Sequence, residues 1–171
     1  MVSTTLIRNV ITATAVAAGL AAGPAAAHGA APNGSGHGLC FDLNSSLATD
    51  SIAALAPPAG GGSWQPVGAS NNPLSGGCNL DAMLVTDDGI GDATAVSRTL
   101  LFHDGRFMGT VDDKPYSYTT VAHTSKDAVT VSYRWLGDDD PFCCPSGGPT
   151  TVTVTMHDGQ LTRTGALPPS S

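Results

Sequence analysis

Two stretches in the second half of the chain constrain its fold more than any other feature. In Val129-Thr130-Val131-Ser132-Tyr133 and Val152-Thr153-Val154-Thr155-Met156, apolar side chains alternate with hydroxyl-bearing ones. A period of two places the apolar groups on one side of an extended chain, so these segments read as antiparallel strands with one buried and one solvated face. Composition agrees. All 14 acidic residues are Asp and none is Glu; Asp favours turns and caps, whereas Glu favours helix interiors. With Gly, Thr and Val abundant, strands joined by tight turns are expected rather than a helical bundle.

Further strands are expected over Ala82 to Thr86, Ala95 to His103, Arg106 to Val111, Tyr116 to Thr124, Ala128 to Leu136, Thr150 to His157 and Gln160 to Thr164. Asp104-Gly105 and Asp158-Gly159 read as two-residue hairpin turns of the type that needs positive φ at both central positions. They sit in matching contexts, Phe102-His103-Asp104-Gly105-Arg106 and Met156-His157-Asp158-Gly159-Gln160, which shared hairpin chemistry explains without a repeat architecture. One helix is expected over Ser46 to Ala56: Leu47, Ser51, Ile52 and Leu55 share a face, Asn44, Ser45 and Thr49 are N-cap candidates, and Pro57-Pro58 ends it. Ala59 to Gly77, rich in Gly, Asn and Pro, reads as a loop with Trp64 and Val67 as packing anchors. The fold expected is therefore α+β: a largely antiparallel sheet with one short N-terminal helix packed on it.

The first 27 residues read as a secretory leader. Arg8 is their only charge, a short apolar run follows from Val10 to Ala22, and Gly23-Pro24 precedes Ala25-Ala26-Ala27. The apolar run falls short of the roughly 20 residues a spanning helix needs, and no later segment reaches that length, so no transmembrane anchor is expected. Cleavage is expected after Ala27, with Ala30 or Ala31 as alternatives. Residues 28–38 read as a flexible lead-in, 39–168 as one domain and 169–171 as a tail. A lipid-anchored protein would carry a cysteine just after the apolar run; the first cysteine here is Cys40, well downstream and after Leu39.

The formal net charge of −7 argues against nucleic acid and anionic lipid surfaces as partners. Four cysteines in an exported domain read as disulfides first. Cys40 with Cys78 is favoured among the complete pairings, because it would tie the helix and the Gly-rich loop to the start of the sheet. Cys143-Cys144 would then remain as an adjacent pair. Neighbouring Cα atoms lie about 3.8 Å apart across a trans peptide, short of the roughly 4.4–6.8 Å of ordinary disulfides, so a vicinal bridge would be strained and readily reduced. It would make a redox-labile or ligand-sensing loop or simply stiffen Asp140 to Pro149; crossed pairing with the other two cysteines is the further alternative.

Residues that could carry chemistry form no catalytic pattern. Asp87, Asp88 and Asp92 share a Gly-bearing loop and Asp138-Asp139-Asp140 is a dense acidic run, but neither has calcium-loop spacing with a closing Glu. His103, His123 and His157 lie near strand ends without the spacing of a helical zinc site, and His28 and His37 fall in the lead-in. There is no G-x-S-x-G elbow and no phosphate-cradling Gly loop with Lys. No catalytic, cofactor or metal residue is expected. Tyr116 with Tyr118, and Tyr133 with Trp135, would share faces by period two, either in the core or as an exposed stripe for a partner or glycan.

Several motifs in order carry a resemblance: Cys40-Phe41-Asp42-Leu43-Asn44-Ser45, Gly77-Cys78-Asn79-Leu80, Leu100-Leu101-Phe102-His103-Asp104-Gly105, Lys114-Pro115-Tyr116, Val129 to Trp135, and Pro145-Ser146-Gly147-Gly148-Pro149. Over Leu39 to Pro168 the chain resembles the LppP/LprE lipoproteins of actinobacteria. The resemblance implies a cell-envelope location, supports pairing Cys40 with Cys78, and brings no catalytic residues. The lipobox cysteine is missing, which favours free secretion or loose cell-wall association over a membrane tether. The expected function is that of an exported, non-catalytic protein binding an envelope component (protein, lipid or glycan). Its working surface would be the loop Gly137 to Pro149, with Asp138, Asp139, Asp140 and Phe142. The rival expectation is an extracytoplasmic enzyme using a metal or a reactive cysteine.

Overall fold

Strands with one apolar face must bury it against a second layer, and here two sheets and a helix supply three layers. A computed structural model of the chain describes residues 30–169. The expected leader, residues 1–27, lies outside the described residues, as do residues 28–29 of the lead-in and 170–171 of the tail. The described elements are helix α1 (Ser46–Ala53) and strands β1 (Trp64–Ala69), β2 (Asp81–Asp87), β3 (Val96–His103), β4 (Arg106–Thr110), β5 (Tyr116–Ser117), β6 (Thr119–Thr124), β7 (Ala128–Trp135), β8 (Gly147–His157) and β9 (Gln160–Gly165), with a 3₁₀ turn at Leu74–Gly76.

All strand pairs are antiparallel, as expected, but they form two sheets rather than one. The first runs β1-β2-β3-β4 with β5 also on β3; the second is the meander β6-β7-β8-β9. The division falls inside the segment expected as one strand, Tyr116 to Thr124. Tyr118 has φ +50°, which breaks the extended chain, so Tyr116–Ser117 pairs with β3 while Thr119 onward pairs with β7. Both Asp-Gly hairpins have positive φ at their two central residues, as the turn type requires.

Alternation explains the inter-sheet core. Val129, Val131 and Tyr133 of β7 and Val152, Val154 and Met156 of β8 face Leu80, Ala82, Leu101 and Val111 of the first sheet's side. On the outer face of the second sheet the Thr130 and Thr153 hydroxyls hydrogen-bond across the strands at 2.9 Å. The first sheet is buried on both sides. Met83, Val85, Leu100 and Phe102 point away from the second sheet and pack with Phe41, Trp64 and the Leu47 and Ala48 side chains of α1. That is why Ala82 to Val85 of β2 and Leu100 to Phe102 of β3 are unbroken apolar runs.

The helix is capped by Ser45, whose Oγ accepts the Ala48 N–H at 3.2 Å. It stops at Ala53, three residues before the expected end, where the Trp64 indole N–H takes the Ala56 carbonyl at 2.8 Å and turns the chain toward β1. The segment expected as loop thus contains an edge strand. Pro66 fits there because an edge position leaves its missing N–H unneeded. The bulge between Pro66 and Gly68 leaves Val67 55% exposed, so Trp64 is an anchor and Val67 is not.

Cys40–Cys78 is bonded, with Cα atoms 5.3 Å apart, and closes a separation of 38 residues. A loop of that length is worth about 3–4 kcal/mol in the chain-entropy account. The described part of the lead-in is tied to the domain: Asp42 N–H donates to the Gly34 carbonyl at 2.8 Å, and Leu74 N–H to that of Gly38 at 2.9 Å. Gly34 adopts φ +81°, and a Cβ there would lie 2.6 Å from Leu47 Cδ2, so glycine lets the chain close over α1.

One charge cluster lies within the apolar interface. Asp112 is 3% exposed. Its Oδ1 accepts Arg98 Nε at 3.2 Å, and its Oδ2 accepts Thr99 N–H and the Tyr133 hydroxyl, each at 3.3 Å. Burial pushes its carboxyl up to about 6 against the pull of Arg98, and burial also raises that of Asp81. Between the unfolded pKa near 3.9 and the folded value, the folded protein binds more protons than the unfolded chain, so stability falls as pH rises through that window. We predict that urea unfolding from pH 4 to pH 6 shows this decline, and that Asp112→Asn makes it shallower; equal slopes in the two proteins would contradict the assignment.

Candidate functional site

The β7–β8 connection folds around one carboxylate. Asp140 Oδ2 accepts the N–H of Gly137 at 2.7 Å and that of Ser146 at 2.6 Å, bridging the two ends of the loop. These backbone donors hold the Asp140 carboxyl below its ordinary range. Cys143 and Cys144 form a vicinal disulfide with Cα atoms 3.8 Å apart, and the Cys144 N–H donates to the Pro141 carbonyl at 2.9 Å. Arg134 Nη1 donates to the Pro145 carbonyl at 2.9 Å, and the Tyr118 hydroxyl to that of Phe142. The loop is thereby fixed at several points.

The three aspartates expected to act together divide into two kinds. Asp140 is consumed by loop closure. Asp138 and Asp139 are exposed, and their carboxylates accept no hydrogen bond from the described residues. Beside them Phe142 is 67% exposed, one of two large hydrophobic side chains so displayed among the described residues.

A groove of about 680 Å³ adjoins the loop where the chain crosses between sheets. Its aromatic wall is Tyr116, Tyr118 and Trp135; Lys114, Arg134 and Asp138 supply charges, and Pro168-Pro169 line it as well. Tyr116 is set edge-on to the buried Tyr133 at 5.5 Å, and its hydroxyl donates to Asp113 Oδ1 at 2.9 Å. Burial, with Asp113 second, pushes the Tyr116 phenol up to about 12, so it stays a neutral donor. Trp135 packs over Gly147 and Gly148: a Cβ at Gly147 would lie 2.3 Å from the indole Nε1, so this close approach requires glycine. Tyr116 and Tyr118 do not share a face as their spacing suggested, because the positive φ of Tyr118 intervenes. They reach one groove by the sheet switch instead.

A larger open cleft of about 780 Å³ lies at the opposite hairpin tips, where His103-Asp104 and His157-Asp158 meet beside Cys78. Several of its polar groups are engaged, while the Lys126 and Asp104 side chains make no hydrogen bond or ion pair with the described residues. His103 Nδ1 meets the Asn79 carbonyl at 2.6 Å, Asn79 Nδ2 donates to Asp127 at 2.6 Å, and His157 lies 3.0 Å from Asp158. The Asp87–Asp92 loop likewise turns its carboxylates onto local donors. Asp88 accepts the Ser63 N–H and the Gln65 amide, Asp92 accepts from Thr94, and Asp87 Oδ1 accepts the Gly89 N–H. Asp87 Oδ2 is buried without a partner and is closed over by Gly60, where a Cβ would lie 2.3 Å away. His37 meets Asp42 at 2.8 Å and His123 is exposed in β6, while His28 lies outside the described residues. No group of three or more His, Cys or Asp positioned for a metal occurs among the described residues.

Fold and site define a small β-sandwich with a helix on its outer face, two disulfides, and an aromatic groove bordered by a pinned acidic loop. Residues 75–159 match the family model described as LppP/LprE lipoprotein. The resemblance read from the sequence holds over that segment, and the chain is lipoprotein-like there. The match takes in β2 through β8, with the groove aromatics and the whole acidic loop, and excludes α1, β1 and Pro168-Pro169. No curated protein and no solved structure matches the chain. No helix among the described residues is long and apolar enough to cross a membrane.

The division of labour in the loop predicts that Asp140→Ala accelerates amide hydrogen exchange at Gly137 and Ser146, whereas Asp138→Ala leaves both unchanged. Exchange measured by NMR checks this, and unaltered protection in Asp140→Ala would contradict the clasp.

Proposed function

We propose that this is an exported, non-catalytic protein of the cell envelope that binds another envelope component through the aromatic groove and the loop Gly137 to Pro149. The observation that carries the reading is the loop's construction. It is held by Asp140, by the vicinal disulfide and by Tyr118 and Arg134, while it displays Phe142, Asp138 and Asp139. A loop already ordered before contact lowers the entropy cost of binding, and an exposed aromatic ring beside charged residues is the composition of an interaction anchor.

Export is supported by the leader-like first 27 residues and by cysteines all paired within the described residues. The acidic charge favours a neutral or basic partner over nucleic acid or an anionic lipid surface. We expect native protein immobilised on a support to retain an envelope component that Phe142→Ala combined with Asp138→Asn and Asp139→Asn retains about tenfold more weakly, the scale of one good anchor residue. Undiminished retention by that variant would remove the loop from the binding surface. Stoichiometric metal or a reactive thiolate on native protein would replace this reading with that of an extracytoplasmic enzyme.

A further inference from the structure

One buried carboxylate oxygen of the first sheet lacks a partner. Asp87 ends β2 and is 1% exposed. Its Oδ1 accepts the Gly89 N–H at 2.9 Å, but its Oδ2 makes no hydrogen bond with the described residues. No Lys, Arg or His pairs with it among those residues. A carboxylate oxygen held dry and unpaired is costly. Protonation does not remove the cost, because an Oδ2–H would find no acceptor there either. A cation would remove it.

The backbone around Asp87 is made of glycine and oxygen donors. Gly60-Gly61-Gly62 runs against the carboxylate. A Cβ on Gly60 would overlap Asp87 Oδ2, and one on Gly62 would overlap both Asp87 Oδ1 and Asp88 Oδ1. Two carboxylates therefore converge on one all-glycine stretch. Asp88 accepts one hydrogen bond on each oxygen, from the Ser63 N–H and the Gln65 amide, which leaves each oxygen a lone pair. The Gly60 carbonyl oxygen would lie 3.0 Å from a Cβ on Gly89 and accepts no hydrogen bond among the described residues. Gly60, Gly61, Asp88 and Gly89 are exposed, so an ion can enter from solvent. Calcium takes this kind of set: carboxylate and backbone carbonyl oxygens in an irregular arrangement that water completes. Neither loop contains the His or Cys that zinc or copper would favour.

We propose that Asp87, Asp88 and the Gly60 carbonyl form a calcium site that ties the connection after α1 to the β2–β3 turn. The donors come from two separate loops, so no linear calcium motif marks them. With two carboxylates the expected Kd is about 10⁻⁴–10⁻³ M, the range of extracellular modules. A cation held that weakly leaves on dialysis, so it differs from the retained metal that would mark an enzyme. The site lies outside the acidic loop and the aromatic groove, and its existence does not depend on the envelope-binding reading.

The test is calorimetric titration of the chelator-treated full chain with calcium chloride. Trp64 stands opposite Asp87 in the β1–β2 ladder, so its fluorescence, followed in a Trp135→Phe background, reports the same event locally. We expect one equivalent to bind and the Trp64 signal to saturate on the same curve. Asp88→Asn, an exposed substitution that spares the core, should weaken binding about tenfold and Asp87→Asn should abolish it. Asp138→Asn with Asp139→Asn, which neutralises the other acidic run, should leave the affinity unchanged. Circular dichroism confirms that each variant is folded; if Asp87→Asn is not, Asp88→Asn decides. Absence of saturable binding up to about 10 mM calcium, tenfold above the expected range, would overturn the proposal. So would undiminished affinity in Asp88→Asn, or binding lost in the Asp138→Asn/Asp139→Asn protein.

Discussion

A buried carboxylate ties the two sheets together inside their apolar interface. Asp112 takes Arg98 and Thr99 from β3 of one sheet and Tyr133 from β7 of the other. Around it the interface is apolar, from Leu101 and Val111 on one side to Val131 and Val154 on the other. Burying a charge there is costly unless it is paired and hydrogen-bonded, and Asp112 has both kinds of partner. Arg98 also donates to the Asp112 carbonyl at 2.9 Å and to the Thr110 hydroxyl at 2.8 Å, so it fixes the backbone between β4 and β5. That fixed turn delivers Pro115 and Tyr116 to the edge of β3. Tyr116 is then held against Tyr133, the same ring that reaches Asp112. The groove inherits its position from this arrangement.

The two ends of the sandwich differ in what they leave unused. At the hairpin tips, histidines, aspartates and asparagine satisfy one another beside the Cys40–Cys78 bridge, and the two Asp-Gly turns close the strands. At the opposite end the chain changes sheets at Tyr118, and the β7–β8 connection is long enough to build a loop of its own. Its internal bonds use Asp140 and leave Asp138, Asp139 and Phe142 turned outward. The larger cleft and the loop that displays Phe142 are therefore at different ends of the sandwich.

Much of this was legible in the residues. Ser45 as N-cap, the Asp-Gly turns and the alternation in β7 and β8 are local signals, and the structure follows them. Cys40–Cys78 is the pairing the residues favour because it would staple the helix region to the sheet, with support from the family resemblance, and the bond is present. The division into two sheets was not legible, because Tyr-Ser-Tyr-Thr-Thr keeps strand character straight through the switch and nothing local announces the positive φ of Tyr118. The short apolar runs Ala82 to Val85 and Leu100 to Phe102 did carry a signal of burial on both faces. Strand β1 was hidden by Gly and Pro, which an edge strand tolerates. The distinct role of Asp140 among three consecutive aspartates depends on where Gly137 and Ser146 come to lie, and the placement of Pro168 beside the groove depends on the path of the chain after β9.

The tie between Asp112 and Tyr133 is tested most directly by a double-mutant cycle of Asp112→Asn and Tyr133→Phe, with each stability measured by urea unfolding. If this contact couples the sheets, the two substitutions are non-additive by about 1–2 kcal/mol, the scale of a hydrogen bond to a charged group. Additivity within about 0.3 kcal/mol would show that this contact does not couple the sheets and that Asp112 serves only the first sheet.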